Sequence, residues 1–293
     1  MNIPKLLIIG SGHLVGEHLF KIFAQKYNIT FIDYSWPVID AQIQFLKSKP
    51  DNYGKTLSGL AGMNFDAVMY LSSMVTRCSK ETEPEINLES LYQALEFATN
   101  EGIGKFIYAS GNCVSGFTSH KVDYKPLYIP IDEEHPCLPH EPYGLIKWFG
   151  ELLCEQYSRA YGIECVCLRF AQIDFSLKSQ QTTSDIDDEK NWFKSHVRIE
   201  NVLQALELSL NYSMNLMEVP CKSFYISDSE TYLLQNSLDF IRIIYPEMPP
   251  PVKDLSYFAN NPKGTLFSNH LAIKELGYNP ELFKRHKENI VAY

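Results

Sequence analysis

The sequence predicts an α/β fold, a doubly wound parallel sheet with a small C-terminal lobe, and three observations carry the prediction. Apolar runs of strand length alternate with segments of helical spacing as far as residue 210. A glycine turn, Gly10-Ser11-Gly12-His13-Leu14-Val15-Gly16, stands between the first such run and the first helix. Four prolines, Pro246, Pro249, Pro250 and Pro251, then interrupt the final third. Strands that alternate with helices need crossover connections, and these lay the strands parallel with helices on the sheet faces.

Each element follows from its own pattern. Lys5–Ile9 is an apolar run closed by Gly10, and Leu14, Val15, Leu19, Ile22 and Phe23 trace one helix face over residues 14–23. Residues 29–32 are β-branched and aromatic and end at Asp33. Strands are expected at 67–71 and 105–109, with a helix over 88–98 between them. A long helix at 143–161, a strand at Glu164–Phe170 and a helix at 199–210 continue the alternation. Residues 176–190, dominated by Gln, Ser, Thr, Asp and Glu, break it and read as a mobile loop, a candidate lid.

Composition narrows the class. A chain of 293 residues, 45% hydrophobic, can bury the core of one large α/β domain plus a small lobe. A net charge of −9 removes the phosphate-neutralising attraction behind nonspecific nucleic-acid binding and argues against an anionic membrane surface. No stretch approaches the ~20 apolar residues of a membrane helix. The start, Met1-Asn2-Ile3-Pro4-Lys5, runs directly into the first strand, so no signal peptide is expected. Seven cysteines without a Cys-x-x-Cys pair read as reduced core thiols of a cytoplasmic protein, and no metal site is expected. Cys165 and Cys167 alternate in a strand run and should face one packed layer.

The glycine turn carries the first chemistry. Glycine is needed where the chain turns sharply and where backbone must approach a pyrophosphate, and the helix that follows offers free N–H groups and a partial positive charge. Asp33, at the end of the second strand, can accept hydrogen bonds from the ribose hydroxyls of the adenosine half. No arginine follows it, since the next residues are Tyr34, Ser35 and Trp36, so NAD is favoured over NADP. A loop-capping role for Asp33 is the competing reading. Together these features predict a Rossmann domain over 1–170. Residues 171–293 would hold its last elements, interleaved with a small substrate-binding lobe.

Read from its motifs, the whole chain resembles the extended short-chain dehydrogenases, the group of nucleotide-sugar epimerases and dehydratases. The run from Ile9 through Gly10 and Gly16 to Leu19 is similar to that group's G-x-x-G-x-x-G opening, with His13 in place of the central glycine and Gly12 beside it. Phe65-Asp66-Ala67-Val68-Met69-Tyr70-Leu71-Ser72-Ser73 resembles its fourth strand and cofactor-lining end, and Asn87 sits where it has a structural asparagine. Phe106-Ile107-Tyr108-Ala109-Ser110 resembles the strand bearing its catalytic hydroxyl. Tyr143-Gly144-Leu145-Ile146-Lys147 matches its Y-x-x-x-K helix, with Gly150-Glu151 following. His196-Val197, Asn201-Val202 and Leu276-Gly277-Tyr278-Asn279-Pro280 resemble its later landmarks. The resemblance implies that NAD lies on Gly10, Gly12, His13, Leu14, Val15, Gly16, Asp33, Leu71, Ser72, Ser73, Asn87, Tyr143 and Lys147.

Spacing of four sets Tyr143 and Lys147 on one helix face. A phenol with a pKa of about 10 is a poor base near neutrality, and a neighbouring ammonium lowers it. The two therefore suit proton transfer at a substrate carbonyl or alcohol. Two departures stand against the pattern. The expected Ser or Thr is Gly111, which leaves Ser110 and Asn112 as the catalytic candidates, each one residue away; the position usually held by tyrosine is Ser115. The dehydratase acidic pair is replaced by Asn112 and Cys113, so dehydration is not expected. The segment between Asp174 and His196 is also short, which implies a smaller substrate or a more open cleft, and Arg198 is a candidate anion contact.

The expected function is an NAD(P)-dependent oxidoreductase or epimerase acting on a secondary alcohol or ketone, of a sugar or nucleotide-sugar, in a homodimer. The alternative is a catalytically impaired dinucleotide-binding sensor or scaffold. A hydrolase built on Cys113 or Ser115 lacks both a nucleophile elbow and a base partner.

Overall fold

The computed structural model describes residues 3–10, 12–34, 43–72, 84–117, 125–175, 195–214 and 220–282, with the backbone alone at 12–14 and 84–87. The candidate lid at 176–190 lies outside them.

The central feature is a seven-stranded sheet. Its strands are β1 (Lys5–Ile9), β2 (Asn28–Asp33), β3 (Gln44–Lys47), β4 (Ala67–Tyr70), β5 (Lys105–Gly111), β6 (Glu164–Phe170) and β9 (Cys221–Ile226), in the order β3-β2-β1-β4-β5-β6-β9. The pairs β1–β2, β1–β4, β2–β3 and β4–β5 are parallel. Helices α1 (Gly12–Phe23), α2 (Tyr53–Ser58), α3 (Pro84–Asn100), α4 (Pro142–Tyr161) and α5 (Ile199–Asn211) interleave with the strands. Short β7 (Gln172–Asp174) and β8 (His196–Arg198) form a separate parallel pair, and α6 (Ser237–Ile244) and α7 (Leu255–Asn260) follow β9. The expected α/β doubly wound sheet is present. The strand order reverses between β1 and β4, and that switch point is where such sheets take ligands, at the carboxyl ends of the strands.

The chain divides into two compact units. One comprises residues 1–110, 145–168 and 209–223, the other residues 111–144, 169–208 and 224–293. The first unit's core is built from strand residues covered on both faces. All four residues of β4 are buried, as are Leu6 to Ile9 of β1, which is why these segments read as continuous apolar runs. Leu91, Ala94, Leu95 and Ala98 of α3 pack into the same cluster. Cys165 and Cys167 share that layer with Cys154, as their alternation requires. The second unit has its own core around Ile129, Ile131, Tyr225, Phe240, Leu266 and Phe267.

Within the seven-stranded sheet two strands, β3 and β9, have no counterpart in the sequence reading, and neither does the separate β7–β8 pair. Both β3 and β9 are edge strands. An edge strand is covered less fully, so its sequence carries fewer apolar residues; no residue of β3 is fully buried, and the first three of β9 are only partly so. Among the described residues no helix is long and apolar enough to cross a membrane.

Candidate functional site

In the first unit, the turn after β1 explains its first glycine twice over. Gly10 has φ +62°, a conformation that strains any residue with a side chain, and a Cβ there would lie 2.8 Å from Ser72 Cα. Gly10 N donates to Ile32 O at 2.8 Å, and Leu71 N donates to Ile9 O at 2.8 Å, so the turn is pinned at the switch point between β1 and β4. Helix α1 begins immediately, at Gly12, with no acidic residue in its first turn. Its unpaired N–H groups therefore face the turn without a competing carboxylate. Val15 and Gly16 are buried behind them. Ser11 and Ser73 lie outside the described residues, as do the side chains of His13, Leu14 and Asn87; Asn87 falls within the first turn of α3.

Asp33 closes β2 and accepts from Tyr34 N at 2.5 Å. Leu71 and Ser72 are buried at the end of β4.

Lys147 is the most unusual group of this unit, a lysine with only 1% of its surface exposed. Its Nζ donates to Ala109 O at 2.7 Å and to Ser72 O at 3.4 Å, and it stands 5.4 Å from the centre of the Tyr108 ring. Carbonyl dipoles and a π face offset the lost hydration of the ammonium. One glycine makes room for this arrangement, because a Cβ at Gly150 would fall 2.3 Å from the Tyr108 hydroxyl. Burial holds that phenol well above its ordinary pKa, so Tyr108 is a neutral wall.

Ser110 does not share in the lysine's contacts. It is buried and donates to Glu151 Oε1 at 2.5 Å, while Ser223 donates to Glu151 Oε2 at 3.0 Å.

In the second unit, Asn112 opens a 3-10 turn, Asn112–Ser115, that follows β5. Ser115 is wholly buried; its Oγ donates to Asn112 O at 2.8 Å and accepts from Phe117 N at 3.3 Å, so that hydroxyl is spent on the turn. The first turn of α4 packs against this one so closely that a Cβ at Gly144 would come 2.7 Å from Cys113 O. Half-buried Tyr143 is thereby held beside the Asn112 turn. Gly111 has extended backbone, φ −151°, and a Cβ there would lie 3.1 Å from Cys113 Sγ. The thiol of Cys113 is therefore the tight neighbour that any side chain at 111 would meet.

Two titratable clusters in this unit escaped the sequence reading. Asp228 Oδ2 pairs with Arg198 Nε at 2.7 Å and His196 Nε2 at 3.2 Å; Oδ1 accepts from Asn201 Nδ2 at 2.6 Å and Arg198 N at 3.1 Å. Burial favours the neutral acid, but the His196 hydrogen bond and charge, with Arg198 and Asn201, hold Asp228 below the usual carboxylate range. His196 stacks on Tyr232, with ring centres 3.3 Å apart, and Tyr232 donates to Asp174. Arg198 is thus committed to a buried acid. Second, burial pushes Glu133 up to about 7, against the pull of the Tyr225 N–H, 2.8 Å away, and of Arg169. Arg169 lies 5.0 Å over the Tyr225 ring and donates to Cys137 Sγ at 3.4 Å. The sequence signals for these clusters were the His196 and Asn201 landmarks and Arg198, expected to meet an anion and found on Asp228 instead.

Residues 6–173 match the family described as the NAD dependent epimerase/dehydratase family. A putative UDP-glucose 4-epimerase of Methanocaldococcus jannaschii is 25% identical over 245 residues, 73% of this chain and 76% of that protein. An uncharacterized UDP-glucose epimerase of Bacillus subtilis is 34% identical over 184 residues, 57% of this chain and 55% of its own length. A short-chain dehydrogenase/reductase superfamily protein from Agrobacterium tumefaciens, solved with bound NAD, superposes with a TM-score of 0.66 at 19% identity, covering 94% of this chain and 92% of its own. At that identity the likeness shows the fold.

Proposed function

Since the chain belongs to the NAD dependent epimerase/dehydratase family, and is accordingly an NAD-dependent epimerase-like enzyme, we propose that it acts on a secondary alcohol or ketone of a nucleotide-sugar. One observation carries the reading. Ser72 lies against Gly10 on one side and offers its carbonyl to Lys147 on the other, so the dinucleotide turn and the catalytic lysine adjoin in a single unit.

The residues present fit a nicotinamide dinucleotide. Gly10 lets the turn close against Ser72 with no side chain between them, the first turn of α1 presents N–H groups with no acid among them, and Asp33 at the end of β2 offers an acceptor for ribose hydroxyls. When bound, the nicotinamide supplies a hydride acceptor and donor. Everything else falls to this chain. Lys147 holds a fixed positive charge one helical turn from Tyr143 and favours its phenolate form. Tyr143 then takes the proton from the substrate hydroxyl as the ketone forms and returns it in the reverse step. Asn112, on the turn packed beneath the start of α4, is the better placed partner for the substrate oxygen, because Ser110 already serves Glu151.

The nucleotide-sugar assignment is supported by the M. jannaschii relative, a putative UDP-glucose 4-epimerase, and by a structural neighbour with a TM-score of 0.65 and 17% identity, a UDP-N-acetylglucosamine 4-epimerase. The sensor or scaffold alternative draws on His13 and Gly111, two departures from the family pattern, and the family does not favour it. A second copy of the chain is proposed to cover the open groove that Leu88, Tyr92, Phe149, Leu152 and Leu153 of α3 and α4 line, where Tyr92, Phe149 and Leu152 are each more than 40% exposed. A monomeric mass at about micromolar concentration would remove that part.

The experiment is incubation of the NAD-loaded protein with UDP-sugars, read by product configuration and by NADH release. Inversion without NADH release marks an epimerase, and stoichiometric NADH marks an oxidoreductase. Tyr143→Phe should lower either rate by about 100-fold or more. No turnover of any UDP-sugar, with nucleotide bound, would overturn the substrate assignment.

A further inference from the structure

The adenosine end of the dinucleotide site holds two lysines to which the reading above gives no role. Strand β2 ends at Asp33, whose register partner on β3 is Lys47. The next residue, Ser48, is buried: its N donates to Asp33 O at 2.9 Å and its Oγ accepts from Thr56 Oγ1 at 2.8 Å. Lys49 continues extended, at φ −83° and ψ 155°. Alternate side chains of an extended chain share a side. Anchoring Ser48 inward therefore turns Lys47 and Lys49 outward together, and both are exposed.

There they converge on one aromatic ring. The two Nζ atoms lie 5.9 and 5.8 Å from the centre of Tyr34, the residue that follows Asp33 and is itself 56% exposed. Among the described residues neither ammonium is engaged in an ion pair. A lone carboxylate at the end of β2 accepts a ribose 2′-hydroxyl and repels a 2′-phosphate. Here two ammonium groups lie within about 6 Å of the ring centre of the residue that follows that carboxylate, and they would favour an added phosphate.

We infer that Lys47 and Lys49 form a 2′-phosphate subsite beside Asp33, so that the enzyme takes NADP(H) as well as NAD(H). The inference rests on the cofactor reading above and concerns only its adenosine end. Asp33 serves the ribose hydroxyls of either nucleotide, and the lysines, steered by the ring of Tyr34, meet the extra phosphate when it is present.

The test is fluorescence titration of the full chain with NADH and NADPH, repeated with the K47Q/K49Q double variant, whose substitutions fall on exposed side chains. The intact protein should bind NADPH within about tenfold of NADH at about 50 mM salt. The double variant should weaken NADPH by about tenfold and leave NADH unchanged. Raising salt to about 500 mM should erode NADPH binding selectively, because the subsite is exposed and screened. Tight NADH binding with NADPH weaker by more than about 100-fold, or a double variant that weakens both nucleotides equally, overturns the subsite while leaving the cofactor reading intact. Failure of both nucleotides to bind overturns the cofactor reading, and the subsite with it.

Discussion

Each unit buries a full charge, and the two do it differently. In the first, the ammonium of Lys147 rests on the carbonyls of Ala109 and Ser72 and on the face of Tyr108. In the second, the carboxylate of Asp228 rests on His196, Arg198 and Asn201. Dipoles stabilise an ion while leaving its field outside the cluster, where it can act on a neighbour. Counter-charges cancel that field and turn the ion into a fixture. The difference separates a charge whose field stays available for the proposed chemistry from one that ties β8, α5 and the segment after β9 together.

That comparison can be broken at either end. The largest effect is expected at the fixture. Asp228→Ala leaves His196 and Arg198 facing a buried void and should cost about 3–5 kcal/mol of stability, read from the urea midpoint. If the protein keeps its midpoint and loses activity instead, Asp228 belongs to the catalytic machinery and the contrast fails. Lys147→Met keeps the stem and removes the charge. It should lower kcat by about 100-fold or more while the protein remains folded. Unfolding of that variant would mean that the carbonyls of Ala109 and Ser72 require the ammonium, so that Lys147 is a fixture as well.

Glu133 sharpens the comparison, being a partly buried acid with only partial compensation. Its folded pKa of about 7 stands above the ordinary carboxylate value. A raised pKa means that the folded state binds the proton more tightly, so its stabilising contribution is whole at acid pH and is lost as pH rises toward and through 7. The loss should be on the order of 3 kcal/mol between pH about 5 and about 8. Urea midpoints across that range should fall for the intact protein, and Glu133→Gln should flatten the trend. An unchanged slope in the variant would assign the titration to another group.

The legible part of the fold was the part buried on both sides. β1, β4 and β6 read as apolar runs because parallel interior strands carry side chains into two layers, and the sequence shows that directly. The edge strands β3 and β9, half clothed in polar residues, gave no such signal. The candidate site divides in the same way. Gly10, Tyr143 and Lys147 were legible because turn geometry and helical spacing are local. The Glu133 bond to Tyr225, between residues 92 apart, and the Asp228 network are made by topology, and no short window of sequence contains them. Ser110 shows the limit from the other side: it was a candidate because it stands one residue from the expected hydroxyl position, and sequence could not show that its hydroxyl bonds Glu151, 41 residues away.

The smallest expected effect concerns Gly111. Its backbone is extended, so a side chain there meets no conformational strain, and the one tight neighbour of a Cβ is the Cys113 thiol at 3.1 Å, which a rotation about one bond can move. Gly111→Ser should therefore change stability by less than about 1 kcal/mol, the lost clearance being offset by the smaller entropy of the unfolded chain. Its effect on rate is the informative part. If Asn112 already serves the substrate oxygen, the added hydroxyl changes kcat by no more than about twofold. If the site lacks such a group, kcat should rise about tenfold or more at unchanged stability, and a companion Asn112→Ala should then cost little. A large loss of both rate and stability would show instead that Cys113 cannot yield, and that the turn beneath α4, with Tyr143 held on it, depends on the absence of a side chain at 111.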